Sequence, residues 1–230
     1  MRHALIVGGA RGLGHAIGST LLDEGWQLTI AGPRTRAPDL EARGATFVAC
    51  DASDPEACKA LIAAIPPVDA LVVAAGPYHR VPLMKETVEG WRGMFQSNLD
   101  PVFFLAQQVL PGMRKRGWGR ILTFSMANAD KLQANPYVTA HYIAKIGVLV
   151  LTRTLAKAGA KAGVTANCIS PGFIDTGSAP QEELDTMLPH IPAKRIGAPE
   201  DVAGVARFLL SDEASYVNGA NIHVSGAWGV

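Results

Sequence analysis

The chain has 230 residues, 48% of them hydrophobic and 18% charged, with 21 Lys and Arg against 20 Asp and Glu and a formal net charge of +1. That length suits one α/β unit with a large buried core, so residues 1–230 are read as one domain. The composition excludes disorder, and the near-zero charge leaves no basic stripe for a nucleic-acid partner. The longest apolar stretches, such as residues 143–151, are interrupted by Lys145 and too short to span a bilayer. The opening residues 1–7 run straight into a glycine turn, which fits a buried first strand rather than a signal peptide. Cys50, Cys58 and Cys168 are odd in number and widely spaced, without a CxxC pair. This predicts reduced thiols in a cytoplasmic protein rather than disulfides or a zinc site.

In chain order, apolar runs at residues 5–7, 28–31, 46–49, 70–74, 121–125, 164–170 and 222–224 predict strands. Amphipathic stretches at 13–24, 55–64, 99–116, 137–162 and 199–211 predict helices between them. Strands separated by helices imply right-handed crossovers and a doubly wound parallel α/β sheet covered on both faces. No repeat, low-complexity tract or linker divides the chain. Residues 172–197, rich in Pro and Gly with a short helical piece near 182–188, read as a loop over the active-site edge.

Gly8, Gly12 and Gly14 follow the first strand and open a helix. The first permits a tight turn, and the later ones let backbone approach a pyrophosphate at the helix N-terminus. Taken alone, such a cluster is also compatible with a purely structural strand-to-helix turn. The rest of the chain narrows the choice. Asp51 follows the third strand and Ala74-Ala75-Gly76 the fourth; then come Asn98-Leu99-Asp100-Pro101, Gly119-Arg120-Ile121, Lys145, the segment from Asn167 to Thr176, Arg195-Ile196-Gly197-Ala198-Pro199-Glu200-Asp201, and Val217-Asn218-Gly219. In this order, and over nearly the whole chain, these motifs resemble the short-chain dehydrogenase/reductase family, most of all the β-ketoacyl carrier-protein reductases and their relatives.

The resemblance implies a Rossmann-type sheet, a nicotinamide cofactor and a homo-oligomer, dimer or tetramer, built on the helices at 99–116 and 137–162. It places Gly8, Arg11, Gly12, Leu13 and Gly14 along the pyrophosphate and adenosine, Asp51 and Ala52 by the adenine, and Ala75 and Gly76 by the ribose. Pro171, Gly172, Ile174 and Thr176 fall near the nicotinamide amide. Two positions depart from the family pattern: Val7 stands where Thr is usual, and Val73-Ala74 where a pair of Asn is usual. Cofactor choice follows from charge. An NAD site needs a carboxylate after the second strand, yet that strand ends Ile30-Ala31-Gly32-Pro33-Arg34. Arg11 and Arg34 are instead placed to meet a 2′-phosphate, so NADP is expected.

In the family, a Tyr gives a proton to the substrate oxygen and a Lys four residues later lowers its pKa and holds the ribose. A Ser polarises the carbonyl, and an Asn supports a water relay. Asn98 and Lys145 occupy their positions, but the frame puts Met126 at the Ser position and His141 at the Tyr position. Ser125 and Tyr142 each lie one residue out of register. One helical step turns a side chain by about 100°, which carries Tyr142 away from the cleft unless the helix start is distorted. In a regular strand Ser125 points to the opposite face.

Three readings of His141 remain open at this stage: a proton donor, a hydrogen-bonding holder of substrate, or a relic in a protein with little turnover. The expected function is an NADPH-dependent oxidoreductase reducing a carbonyl or conjugated C=C of a small or acyl-type substrate with an atypical proton donor. The alternatives are a cofactor-binding sensor or scaffold, and a redox-neutral isomerase or dehydratase. No metal, nucleic acid or membrane is implied; His190 and His223 have no partner at metal-ligand spacing.

Overall fold

The computed structural model describes residues 1–177 and 181–229. Seven strands, β1 (His3–Val7), β2 (Gln27–Gly32), β3 (Thr46–Ala49), β4 (Ala70–Val73), β5 (Gly119–Phe124), β6 (Val164–Pro171) and β7 (Asn221–Val224), form one sheet in the order β3-β2-β1-β4-β5-β6-β7. Every neighbouring pair is parallel. The order reverses between β1 and β4, so the crevice at their carboxyl ends is the topological switch point where doubly wound sheets bind ligands. Register fixes that crevice: Val7 sits opposite both Ala31 and Val73. Beyond it, Gly8 N donates to Ala31 O at 2.9 Å and Ala74 N to Val7 O at 2.9 Å.

The helices are α1 (Gly12–Asp23), α2 (Pro38–Ala42), α3 (Pro55–Ala64), α4 (Val88–Asn98), α5 (Asp100–Arg116), α6 (Thr139–Gly159), α7 (Gln181–Met187) and α8 (Pro199–Leu210). They cover both faces. On one, Leu61, Leu105, Met113, Val148 and Leu155 pack against Leu5, Leu71 and Ile121. On the other, Ile17, Leu21, Leu40, Ala206 and Leu209 pack against Ile6, Leu28, Ile30, Val72 and Leu122. The central strands are therefore apolar on both sides, as a parallel sheet requires.

Local chemistry sets the ends. Pro55 opens α3 behind Asp54, whose carboxylate accepts from Glu56 N at 2.9 Å. Gly117, at φ 73, stops α5 after the basic turn Arg114-Lys115-Arg116. Two helices are additions to the sequence reading. α2 is too short to show a period. α4 carries Gly90 and Gly93, which weaken a helical signature; it is started instead by Thr87 Oγ1, which accepts from Gly90 N at 2.9 Å. In the expected loop over the cleft the helical piece is α7, and residues 178–180 lie outside the described residues.

Candidate active site

The turn after β1 is shaped for close backbone approach. Gly8 has φ 84, and a Cβ there would lie 2.7 Å from Ala75 N. Gly12, at φ 57, faces Thr176, whose Cβ would stand 3.2 Å from a Cβ on Gly12. Thus Gly8, Gly12, Ala75 and Thr176, assigned separately from the sequence, come together around one crevice. At its floor α1 begins with no side-chain cap and no acid in its first turn, leaving free N–H groups and a positive helix end for an anion. A side chain would fill the cradle, so the residues present fit a dinucleotide pyrophosphate. Leu13 and Gly14 lie in this first turn, Gly14 being buried.

The adenosine end is defined by β2 and β3. Cys50 N donates to Gly32 O at 3.0 Å, and Asp51 Oδ1 accepts from Ser53 N and Ser53 Oγ at 3.0 and 2.7 Å. These Ser53 hydrogen bonds hold the Asp51 carboxyl below the usual carboxylate range. Ala52 is buried beside it. Four arginines lie nearby in sequence, and the structure sorts them. Arg36 is bound to Glu41, and Arg43 to Asp23 at 2.7 Å. Arg11 and Arg34 are exposed and have no carboxylate partner among the described residues.

At the opposite end of the crevice, Asn98, Lys145 and His141 converge. A Cβ on Gly76 would strike Asn98 Oδ1 and stand 3.5 Å from Lys145 Nζ. Asn98 Nδ2 donates to Pro77 O at 3.2 Å, while its Oδ1 is buried without a partner among the described residues. Lys145 Nζ donates to Phe124 O at 3.0 Å, and burial brings its pKa down to about 8. His141 is 5% exposed, and its Nδ1 also lacks a partner among the described residues. Burial and then the Lys145 charge lower its pKa to about 4 against a weak opposing influence of the Pro77 carbonyl. The Tyr78 ring meets the imidazole edge-on, 5.3 Å between centroids. Its only trace in the sequence is an aromatic residue two positions after Gly76, past the end of β4.

Tyr142 and Ser125 are directed elsewhere. The Tyr142 hydroxyl donates to Asn128 O at 2.8 Å and accepts from Gln133 N at 3.0 Å, fastening the loop after β5 to α6. Ser125 Oγ donates to the backbone Lys145 O at 2.9 Å, so it tethers α6 to the end of β5. Both hydroxyls are committed to backbone partners, and the regular helix from Thr139 shows no distortion that would bring Tyr142 round. Met126, in the Ser frame, is half-buried and packs on the core; a thioether donates no hydrogen bond.

Pro171, Gly172 and Ile174 form the rim above β6. Ala127 N donates to Pro171 O at 3.0 Å, Gly172 N to Val224 O at 3.0 Å, and Ile174 bridges to Gly197. Cys168, beneath the site, has its thiol pushed up to about 11 by burial, so it is protonated and no nucleophile at neutral pH. Among the described residues no three His, Cys, Asp or Glu side chains gather as a metal site, and no helix is long and apolar enough to cross a membrane.

Fold and site together define a Rossmann-type, dinucleotide-handling α/β protein. Comparison with known proteins narrows the class. Residues 8–228 match the family model described as Enoyl-(Acyl carrier protein) reductase. Acetoacetyl-CoA reductase of Shinella zoogloeoides is 36% identical over 237 residues, covering 98% of this chain and 97% of that protein. The 3-oxoacyl-[acyl-carrier-protein] reductase MabA of Mycobacterium tuberculosis (strain ATCC 25618 / H37Rv) is 35% identical, covering 100% and 93%. Among solved structures, a short chain dehydrogenase/reductase family protein superposes with TM-score 0.90 at 31% identity, covering 98% and 96% of the two chains. The chain belongs to the short-chain dehydrogenase/reductase family.

Proposed function

We propose that this protein is an NADPH-dependent reductase of a carbonyl or conjugated C=C in a small or acyl-type substrate, with neutral His141 in place of the family's tyrosine acid. One observation carries the reading: a buried imidazole, its pKa near 4, stands in the proton-donor frame beside Lys145 and Asn98. The names of the relatives support an oxo-acyl substrate, since an acetoacetyl-CoA reductase and a 3-oxoacyl reductase each match over nearly their full length.

A bound dihydronicotinamide would supply hydride. The chain's own residues do the rest. Gly8, Arg11, Gly12, Leu13 and Gly14 hold the pyrophosphate, Asp51, Ala52, Ala75 and Gly76 the adenosine side, and Pro171, Gly172, Ile174 and Thr176 the nicotinamide side. Arg11 and Arg34 meet the 2′-phosphate, since neither is taken by a carboxylate. Lys145 binds the ribose hydroxyls and, with a pKa about 8, carries its proton at neutral pH. His141 polarises the substrate oxygen as a neutral N–H donor, a role open to imidazole when its surroundings disfavour the cation, and water supplies the proton that completes the reduction. Asn98 donates to the Pro77 carbonyl at 3.2 Å and so holds the loop beside His141. Tyr142 and Ser125 position the loop and helix and do not touch the reacting atoms.

The assembly belongs to the same reading. Phe103 on α5 and Val150 on α6 are exposed apolar side chains, which supports a homodimer or homotetramer through these helices. Buried Cys50, Cys58 and Cys168 thiols fit a cytoplasmic location.

The test is NADPH oxidation with ketones, enones and β-ketoacyl thioesters, with product identification. Turnover of an oxo-acyl substrate is the expected result. Cofactor binding without turnover on any of them would overturn the reductase reading in favour of a sensor or scaffold. Conversion of substrate with no net NADPH consumption would favour a redox-neutral isomerase or dehydratase.

A further inference from the structure

The loop between Gly76 and α4 presents a cation that the chemistry at His141 does not use. Arg80 is exposed and has no carboxylate partner among the described residues. Its guanidinium lies over the Tyr137 ring, 5.3 Å from the centroid. Tyr137 stands four residues before His141, and Tyr78, two residues before Arg80, touches the His141 ring. The two loops are fastened to one another, because Leu83 N donates to Pro136 O at 2.7 Å. The Arg80–Tyr137 pair is thus held on the two loops that flank His141.

Lys85 and Lys131 share these two loops with Arg80, alongside the acids Glu86 and Asp130, whose oxygens already have partners. Glu86 accepts from Thr87 N at 3.1 Å, and Asp130 bonds His223 at 2.9 Å. Exposed apolar side chains, Leu83, Met84 and Leu132, adjoin the cations. A guanidinium seated on an aromatic face has one face covered and its in-plane N–H fork left for an oxyanion, with part of the ordering cost already met.

We propose that Arg80, preorganised on Tyr137, is the anion-binding residue of the substrate site, so that the substrate is an oxo compound bearing a carboxylate or phosphate. Its carbonyl meets His141, its apolar part lies against Tyr78 and Leu132, and its oxyanion pairs with Arg80. This deepens the reductase reading and rests on His141 as the carbonyl site.

The experiment compares wild type, Arg80→Gln and Arg80→Lys on acetoacetate, acetoacetyl-CoA and neutral ethyl acetoacetate at pH 7. For an anionic substrate Arg80→Gln raises KM by about tenfold or more, as loss of a charge-assisted hydrogen bond does. It leaves kcat, and both constants for the neutral ester, nearly unchanged, and Arg80→Lys recovers part of the loss. Loss with acetoacetate assigns the anion to a carboxylate, and loss with acetoacetyl-CoA alone assigns it to the CoA phosphates. An equal effect on all three substrates, or none on any, overturns the proposal.

A second readout does not need turnover. Calorimetry of 3-hydroxybutyrate, CoA and ethyl 3-hydroxybutyrate binding to the NADP⁺-loaded protein shows anion affinity weakened by Arg80→Gln and ester affinity unchanged. If no substrate turns over but anion binding falls with Arg80→Gln, the reductase reading fails and the Arg80 assignment stands. Anion binding that is absent from wild type, or unchanged in Arg80→Gln, overturns the assignment.

Discussion

Replacing His141 in two ways separates a hydrogen-bond donor from a general acid. With a pKa near 4, about one imidazole in 10³ is protonated at pH 7, so a route through imidazolium starts about 4 kcal/mol uphill. Lys145, near 8, keeps its proton by about ten to one at that pH. A neutral N–H aimed at the substrate oxygen faces no such penalty. Gln places an amide N–H at similar reach and carries no titrating proton, whereas Phe fills the space and donates nothing. His141→Gln is therefore expected to keep kcat within about tenfold of wild type, while His141→Phe loses about 10²–10³-fold, the usual cost of removing one oxyanion donor. The assay is steady-state NADPH oxidation with acetoacetyl-CoA, with NADPH affinity from fluorescence titration unchanged in both variants. Equal, large losses in Gln and Phe would refute the argument, as would a wild-type rate profile with a limb near pH 6.5.

Tyr142→Phe deletes the hydroxyl between Asn128 O and Gln133 N; it should cost about 1–2 kcal/mol, lower the Tm by about 2–4 °C per kcal/mol and leave kcat nearly unchanged in calorimetry and rate assays run together. A large rate loss at unchanged Tm would place that hydroxyl in the chemistry. Arg34→Asp should weaken NADPH and narrow or reverse its advantage over NADH in fluorescence titration, and an unchanged preference would remove Arg34 from the 2′-phosphate site. Acid stability reports the buried imidazole as well. Between the unfolded value of 6.5 and the folded value near 4, only the unfolded chain takes up the proton at residue 141. Stability contributed by this group therefore falls as pH drops through that window, by about 2 kcal/mol from pH 7 to pH 5. Urea titrations of wild type and His141→Gln at both pH values should show the variant losing less.

The strands were legible because a parallel sheet buried on both faces leaves continuous apolar runs, and α3 because Asp54 and Pro55 announce it. The helix ahead of Asn98 was not legible: Gly90 and Gly93 break its pattern, and packing of Met94 and Asn98 against the site supplies what propensity does not. The frame placed His141 and Lys145 on one helix, but no spacing discloses burial, and burial is what sets both pKa values. Tyr142 could be moved off the cleft by helical rotation alone. Its partners, Asn128 and Gln133, depend on how the loop after β5 folds back. The sorting of arginines was likewise hidden, since only geometry shows Glu41 and Asp23 occupying Arg36 and Arg43 while Arg11 and Arg34 remain available.

Isotope transfer tests the reductase claim most directly. The protein is incubated with acetoacetyl-CoA and NADPH deuterated at the transferable C4 position, and the product is read by mass spectrometry and NMR. The expected product is 3-hydroxybutyryl-CoA with one deuterium at C3, formed in step with NADP⁺. Hydroxy product without label, or no product from protein shown by titration to bind both ligands, would contradict it.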